Sequence, residues 1–409
     1  MMQSFLNNIR RGLGKPYIEL LNTNEKEKYL DTLLYACLSD SSYNCKVEGP
    51  KGVYLYSLIN LYDEHIKYFI KDKIIESLSI DDNYNLTFQK IDILLEFYEN
   101  GDKSLKNVFL NFYNCFTKST KRWTKNKLKA FEIVALTIDI VFGLKKTKTV
   151  IKFILDAHLN LDYFKWYKNR IYQKYKKCNE VKEFTSKFNN INSPRINYSL
   201  DALLKENDVR KMRWFANEIS KEEYEKVINY LRKTNDIVQI KKILIVYSDS
   251  YIDNQIPLEL CLHLLNKFND DIKDYVYEVI KYYKAKEVLN LGLLLIKDKK
   301  YLVTALEMLF NNYFPKYKQL IINSYKKVPF SFYDCDLITG FAIDFMNHKK
   351  KNYPDEILLI SYNKTYNSIN RKLVFEIMKK RNLLTKQIIE ECKHDFNSDI
   401  KAKANKILT

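Results

Sequence analysis

The sequence predicts an all-α protein in which pairs of antiparallel helices repeat along the second half of the chain. Only 8 glycines and 7 prolines occur among 409 residues, so few positions interrupt helices. Apolar residues make up 46% of the chain and recur at the three- and four-residue spacing of helix faces. In the second half, one helix pattern returns about every 32 residues. These three observations together predict the fold class.

The first region, residues 1–190, reads as a series of amphipathic helices. EKYLDTLLYACL, GVYLYSLINLY, FQKIDILLEFYENG and DKSLKNVFLNFY carry the helical period and are separated by polar segments. FEIVALTIDIVFGL is too short to span a bilayer and contains Glu132 and Asp139, so it predicts a buried helix. The Asn-rich segment 186–199, interrupted by Pro194, predicts a boundary to a second region, residues 191–409.

The second region contains a recurring helix start. NDDIKDYVYEVI and NSDIKAKANKIL share an Asn or Asp that can cap the first turn, then apolar or small residues four, seven and eight places after an Ile. The same template fits seven times, at steps of 30 to 35 residues. Its anchors are Val209, Ile240, Ile272, Leu302, Leu337, Ile369 and Ile400, and the residues four places later are Arg213, Leu244, Val276, Leu306, Phe341, Leu373 and Ala404.

This pattern resembles the HEAT family in a short-repeat form. The second-helix signature of that family is matched by Asp399, Ile400, Lys401, Ala404 and Leu408. The resemblance covers roughly residues 200–409 and implies an α-solenoid, an armadillo-like stack of paired antiparallel helices. An irregular helical bundle remains the alternative, because apolar pairs four residues apart are common in all helical proteins.

The charge of the chain is strongly positive and unevenly distributed. The formal net charge is +18, and 58 of the 68 basic residues are lysines, which an AT-rich genome also favours. Residues 118–177 hold 16 basic and 4 acidic side chains, a net charge of +12. Genome composition raises lysine everywhere and does not explain this concentration. A basic segment of this kind fits an anionic macromolecular partner.

Within the basic segment, cations alternate with two tryptophans. A helix over residues 118–130 would place Lys121, Lys125 and Lys129 on one side. In LDYFKWYKNRIYQKYKK, one face should pack inward and the other should carry a tryptophan followed by cations. Such a row suits phosphates and a base, although a half-buried tryptophan among solvated lysines would look the same. The predicted ligand-binding residues are Lys121, Arg122, Trp123, Lys125, Lys129, Lys165, Trp166, Arg170, Lys174 and Lys177.

A second cluster of this composition lies just beyond the predicted boundary. Arg210, Arg213 and Trp214 stand close together in DVRKMRWFANEI. We interpret Trp214 as a core residue and the two arginines as exposed.

The sequence matches no enzyme motif that we could align by position. It has no phosphate-binding loop, no G-x-S-x-G, and no Cys or His spacing suited to zinc, so we predict no catalytic residue, no metal site and no cofactor. Some DNA-repair glycosylases built from HEAT-like repeats hold damaged bases on a basic face with tryptophans and an acid. The chain is similar to them in repeat type and charge, and Asp139, Asp156 and Asp162 are the aspartates inside its basic segment.

These observations favour a non-enzymatic binding or scaffold protein that engages an anionic partner through a basic surface. The alternative is a nucleic-acid-binding protein, including a repair glycosylase of the HEAT-like type. The expected partner is another protein or a nucleic acid, DNA or RNA, and a membrane surface is the least favoured partner. Seven scattered cysteines without a C-x-x-C pair, and an N-terminal segment unlike a signal peptide, predict a cytoplasmic protein with reduced thiols.

Overall fold

The computed structural model describes residues 2–41, 48–119, 122–188, 199–208, 212, 219–248, 255–329, 331–348 and 354–407. Across these residues it contains 24 α-helices, four short 3-10 helices and no strand, so the all-α prediction is confirmed. The chain divides into two compact units. The first comprises residues 1–192 and 365–409, and the second comprises residues 193–364.

The α-helices are short to medium in length and follow one another closely along the chain. In order they are α1 Met2–Arg11, α2 Lys15–Asn22, α3 Leu30–Leu38, α4 Gly52–Ile59, α5 Glu64–Glu76, α6 Tyr84–Glu99, α7 Leu105–Thr117, α8 Lys125–Phe142, α9 Leu144–Asp156, α10 Lys165–Tyr175, α11 Asn179–Ser186, α12 Leu200–Lys205, α13 Lys221–Lys233, α14 Ile237–Tyr247, α15 Leu258–Phe268, α16 Lys273–Ile280, α17 Lys286–Leu295, α18 Leu302–Asn311, α19 Lys318–Lys327, α20 Phe332–His348, α21 Glu356–Lys364, α22 Ser368–Lys380, α23 Lys386–Cys392 and α24 Ser398–Ile407.

The first unit is built around α8, its longest helix. The segment predicted as a buried helix lies in α8 up to Phe142, and its residues Phe131, Ala135 and Ile138 are buried in the core; its last two residues lie beyond the end of α8. The four amphipathic segments of the first region form α3, α4, α6 and α7, as predicted. Polar side chains cap two helices of this unit: Asp63 and Asn83 accept backbone N–H groups in the first turns of α5 and α6.

The C-terminal helices α22 to α24 belong to this first unit rather than to the helices that precede them. Arg371 of α22 and Asp395 after α23 form a fully buried bidentate ion pair, with Nε to Oδ2 at 2.8 Å and Nη2 to Oδ1 at 2.9 Å. The carbonyl oxygen of Gly12 accepts the backbone N–H of Phe396 at 2.8 Å. A Cβ atom on Gly14 would lie 1.8 Å from the carbonyl oxygen of Glu391. These contacts join the two ends of the chain.

Another close contact joins α4 and α6. A Cβ atom on Gly52 would lie 2.4 Å from Cβ of Asp92, so the first residue of α4 has to be glycine at this crossing. The carboxylate of Asp92 accepts the backbone N–H of Val53 at 3.1 Å and so caps α4 from a neighbouring helix. Burial raises the pKa of Asp92 to about 7, and the nearby Glu96 adds to this effect.

We expect the pKa of Asp92 to make stability pH-dependent. Folded Asp92 keeps its proton up to about pH 7, whereas the unfolded chain releases it near pH 4. Unfolding therefore releases a proton between these values, and the free energy of unfolding falls as pH rises through this window. Relative to Asp92→Asn, which can still accept the Val53 N–H, the wild type should lose about 2–4 kcal/mol between pH 4 and 7.

Urea denaturation of both proteins across this pH range measures the difference. Asp156→Asn, at an exposed site at the end of α9, controls for the loss of one carboxylate. Parallel pH curves for the wild type and Asp92→Asn would contradict the prediction.

The second unit consists of α12 to α21. Consecutive helices pair along the chain, as in α15 with α16 and α17 with α18, and α14, α16, α18 and α20 contact one another in sequence. Lys281, buried at the end of α16, lies 2.7 Å from Glu278 and 2.7 Å from Glu307 of α18, which links two of these helices through a buried charge. The buried Lys364 donates to the carbonyl of Lys326 at 2.9 Å and so caps the end of α19.

The template found in the sequence predicts burial well in α14, α16 and α18. In α20 its residues Leu337 and Phe341 are only partly buried, whereas the residues that follow each of them are fully buried. Ile240, Ile272 and the residues four places after them are fully buried, as are Ile400 and Ala404 of α24. The register is wrong for α22, where Ile369 is 42% exposed and Leu373 is 37% exposed. That helix turns Arg371 inward to pair with Asp395, which rotates its apolar template residues to the surface. The anchor Val209, with Arg213 and Leu408, lies outside the described residues.

Candidate anion-binding surface

The first part of the basic segment is not one continuous helix. α7 ends at Thr117 and α8 begins at Lys125, where Oγ1 of Thr124 accepts the backbone N–H of Lys127 at 3.3 Å. The condition under which Lys121, Lys125 and Lys129 would share one side, a single helix over residues 118–130, is therefore not met, because a threonine cap starts a new helix inside this range. Lys121 lies outside the described residues, and the exposed Arg122 lies in the connection. Lys125 and Lys129 occupy the first two turns of α8.

Trp123 packs against the core of the first unit. Its ring lies 5.3 Å from Phe131, 6.1 Å from Phe153 and 6.3 Å from Phe116, centroid to centroid. Nζ of Lys127 lies 4.8 Å from the same ring and covers another part of it. We therefore interpret Trp123 as a packing residue, the second of the two possibilities that the sequence left open.

The second part of the basic segment forms α10, whose two faces follow the predicted division. Phe164, Tyr167 and Ile171 are fully buried, so the inward face is confirmed. The opposite side exposes five of the predicted ligand-binding residues, and α10 contains no acidic residue. Four of these residues lie on α10, namely Lys165, Trp166, Arg170 and Lys174, and the fifth, Lys177, lies two residues after its end. Whether they bind a ligand stays a prediction.

Asp139 of α8 forms ion pairs with two of these cations. Its side chain is fully buried and accepts from Nε of Arg170 at 2.9 Å and from Nζ of Lys174 at 3.4 Å. Both cationic side chains are nevertheless 43% exposed. Burial alone would raise the pKa of Asp139, but hydrogen bonds from Tyr175, Arg170 and Thr147 outweigh burial and lower that pKa. The carboxylate therefore stays ionised and holds both cations at the surface.

A tight corner in the backbone brings Thr147 to Asp139. Gly143 alone connects α8 to α9, with φ of +67° and ψ of −160°, a conformation that essentially only glycine adopts. The chain reverses there, and Oγ1 of Thr147 donates to Oδ1 of Asp139 at 2.9 Å. This arrangement could not be predicted from the sequence, because its members come from three separate helices.

Glu132 positions the start of α10 on α8. Its Oε1 accepts the backbone N–H groups of Trp166 at 2.8 Å and Tyr167 at 3.1 Å. Glu132 contacts the first residues of α10, and Asp139, two turns later on the same face of α8, contacts residues farther along α10. The two helices therefore run side by side in the same direction. Lys129 and Lys125 lie one and two turns before Glu132 on that face. Both lysines therefore lie on α8 before the point at which α10 begins.

The three aspartates of the basic segment have different surroundings. Asp139 is occupied by its cationic partners, while Asp156 and Asp162 are exposed at the ends of short elements. Arg210, Arg213 and Trp214 lie outside the described residues. In the part of the chain that the structure describes, no three His, Cys, Asp or Glu side chains come together in a way that could hold a metal ion.

A separate pocket of about 780 Å³ lies in the first unit between α4, α5 and the end of α6. Two of its three lysines are paired with carboxylates of its own wall, because Lys71 donates to Asp102 at 2.6 Å and Lys67 donates to Glu64 at 2.8 Å. Sequence reasoning missed this pocket, since its residues come from several segments that share no motif. The lining residues are Tyr56, Asn60, Glu64, Lys67, Tyr68, Lys71, Phe97, Asn100, Gly101, Asp102, Lys103 and Ser104.

Comparison with known proteins identifies no relative. No family model, no curated protein and no solved structure matches this chain. Among the described helices, none combines the length and the apolar character needed to cross a bilayer. Function must therefore be inferred from the chain's own residues.

Proposed function

We propose that this protein is a non-enzymatic binding protein that engages an anionic macromolecular partner through a basic surface on α8 and α10. We define this basic surface as Lys125, Lys129, Lys165, Arg170, Lys174 and Lys177. The observation that carries the proposal is the anchoring of Arg170 and Lys174 by the buried Asp139. A carboxylate in that position restricts the two cations without removing them from solvent.

Restricted cations suit the binding of a polyanion for an energetic reason. A flexible lysine or arginine loses about 0.5–1.5 kcal/mol of side-chain entropy when a partner immobilises it. Arg170 and Lys174 already occupy defined positions, so less of this entropy remains to be lost. Asp139 offsets only one of their two charges, and α10 contributes no acid of its own. A row of anions, rather than a single small anion, matches the length of the surface along two helices.

We also propose that the second unit is a short HEAT-like solenoid. In such a fold each helix pair contacts only its neighbours in the stack. The successive contacts of α14, α16, α18 and α20 support this, together with the contact between α19 and α21. The burial of Ile240, Ile272 and Leu302 at a step of about 32 residues supports it further.

The experiment is a comparison of polyanion binding by two charge-reversed variants. The first variant changes Lys125, Lys165 and Lys177 together to Glu. It removes three exposed cations, none of which contacts a carboxylate among the described residues. Arg170 and Lys174 are spared, because reversing them would leave Asp139 buried beside like charges. Heparin affinity at about 100 mM salt should fall by roughly 30-fold in this variant, since three ionic contacts are lost.

The matched control carries the same charge change in the second unit. Lys221, Lys299 and Lys316 are exposed there and are changed together to Glu. Heparin affinity of the control should stay within about threefold of that of the wild type, because the control retains the basic surface. Equal losses in both variants would mean that net charge alone drives binding, and no loss in either would remove the basic surface as the binding site.

A further inference from the structure

The basic surface has a flat aromatic side chain at its start. Trp166 is 37% exposed, and its ring lies 6.1 Å from Phe88 and 6.5 Å from Tyr84, centroid to centroid. Both neighbours belong to α6, and the backbone N–H of Trp166 donates to Glu132. The indole is therefore held in position on one side and open to solvent on the other, in contrast to the more enclosed Trp123.

Trp166 and the anchored cations form one stripe along α10. Trp166, Arg170 and Lys174 are spaced at i, i+4 and i+8, so successive side chains on the stripe lie about 6 Å apart along the helix. The exposed amide side chains of Asn169 and Gln173 lie beside this stripe. The stripe thus offers an aromatic face, then two fixed positive charges, with hydrogen-bonding groups alongside.

We propose that the anionic partner of the basic surface is single-stranded nucleic acid, with a base stacked on Trp166 and phosphates bound by Arg170 and Lys174. This inference rests on the proposed function and narrows it to one partner class. Proteins that bind single strands combine a cationic track with aromatic side chains, since an unpaired base exposes a face that can stack. An arginine next to the stacked base adds its own attraction to aromatic rings.

The two competing partners use fewer of these features. A double helix presents phosphates but keeps the faces of its bases stacked inside, so an exposed indole would gain little from it. An acidic protein would pair with the cations, but its carboxylates have no need of an aromatic face beside them. The combination of a positioned indole and anchored cations on an acid-free helix therefore favours an unpaired strand.

The test measures binding of the full chain to three probes: oligothymidylate or oligouridylate of about 20 nucleotides, a duplex of the same length, and heparin, which has charge but no bases. The variant is Trp166→Leu, which keeps apolar packing but removes the flat ring. Its affinity for single strands should fall about tenfold, while its heparin affinity should stay unchanged. Trp166→Tyr should recover most of the affinity for single strands, because it restores an aromatic face.

Phe314→Leu is the matched control, since Phe314 is an aromatic residue that is 51% exposed in the second unit. It should bind every probe as the wild type does. Tighter binding of single strands than of duplex, lost in Trp166→Leu and regained in Trp166→Tyr, would support the inference. Equal binding of single strand and duplex, or a Trp166→Leu variant that matches the wild type, would overturn it.

The outcomes separate this inference from the proposed function. Strong heparin binding that depends on the lysines of the basic surface, combined with no preference for single strands, would leave the proposed function standing and remove only its nucleic-acid partner. Failure to bind any of the three probes would remove both. Thermal melting of each variant shows whether it is folded, and a Trp166→Leu protein that is folded but loses heparin binding as well would also contradict the stacking role.

Discussion

Replacing Asp395 with alanine is expected to destabilise the first unit by about 3–5 kcal/mol. Arg371 and Asp395 are both fully buried, and the alanine variant would leave the guanidinium charge in the core without its carboxylate. Nη2 of Arg371 also lies 3.4 Å from the carbonyl oxygen of Gly12, but a neutral carbonyl cannot replace a bidentate ion pair. The effect should be large because the cost is that of an uncompensated buried charge.

The double variant Arg371→Met with Asp395→Leu distinguishes loss of the pair from loss of packing. Apolar side chains at both positions remove the two charges together, so much of the lost stability should return. Chemical denaturation followed by tryptophan fluorescence measures the difference. Lys372→Ala with Asp399→Ala is the control: this exposed pair, with Nζ to Oδ2 at 2.6 Å, joins the same two regions of chain. Exposed ion pairs contribute little, so the control should unfold nearly as the wild type does.

Two results would contradict this prediction. One is an Asp395→Ala protein as stable as the Lys372 and Asp399 control. The other is a double variant no more stable than Asp395→Ala, which would mean that the charges themselves are needed. Either result would also weaken the view that this ion pair holds the C-terminal helices to the start of the chain.

Much of the helical structure could be predicted from the sequence, because the signals are local. The periodic burial of α8 and the inward face of α10 follow directly from the spacing of their apolar residues. The start of α8 was not predicted, because a single threonine cap, Thr124, divides the basic segment there, and a cap of this kind carries a weaker signal than a run of apolar residues.

The association of residues 365–409 with the first unit could not be predicted in the same way. It depends on contacts such as Arg371 with Gly12, which are separated by more than three hundred residues. Nothing in the local sequence distinguishes a buried arginine from an exposed one. The apolar template therefore placed Ile369 inward, although the helix turns Arg371 inward instead. Where a charged residue is buried, simple hydrophobic periodicity gives the wrong face.

The candidate site was predictable in its charge and not in its geometry. The excess of cations in residues 118–177 can be counted from the sequence. The buried position of Asp139, and its use as an anchor for Arg170 and Lys174, depends on the corner at Gly143 and on the parallel packing of α8 and α10. The different environments of Trp123 and Trp166 likewise depend on neighbours from other helices.

The largest effect is expected in the salt dependence of binding. If all six cations of the basic surface contact phosphates of a single strand, log affinity should fall against log salt with a slope of about −4. Affinity would then decrease about 300-fold between roughly 50 and 200 mM salt. The variant with Lys125, Lys165 and Lys177 changed to Glu keeps three of these cations, so its slope should be about −2.

The salt series for oligothymidylate binding by the wild type, this variant and the Lys221, Lys299 and Lys316 control is the most direct test of the basic surface. We expect a steep slope for the wild type and the control and a slope about half as steep for the variant. The same slope in all three proteins, or no binding by the wild type above about 50 mM salt, would contradict binding of an anionic strand through α8 and α10.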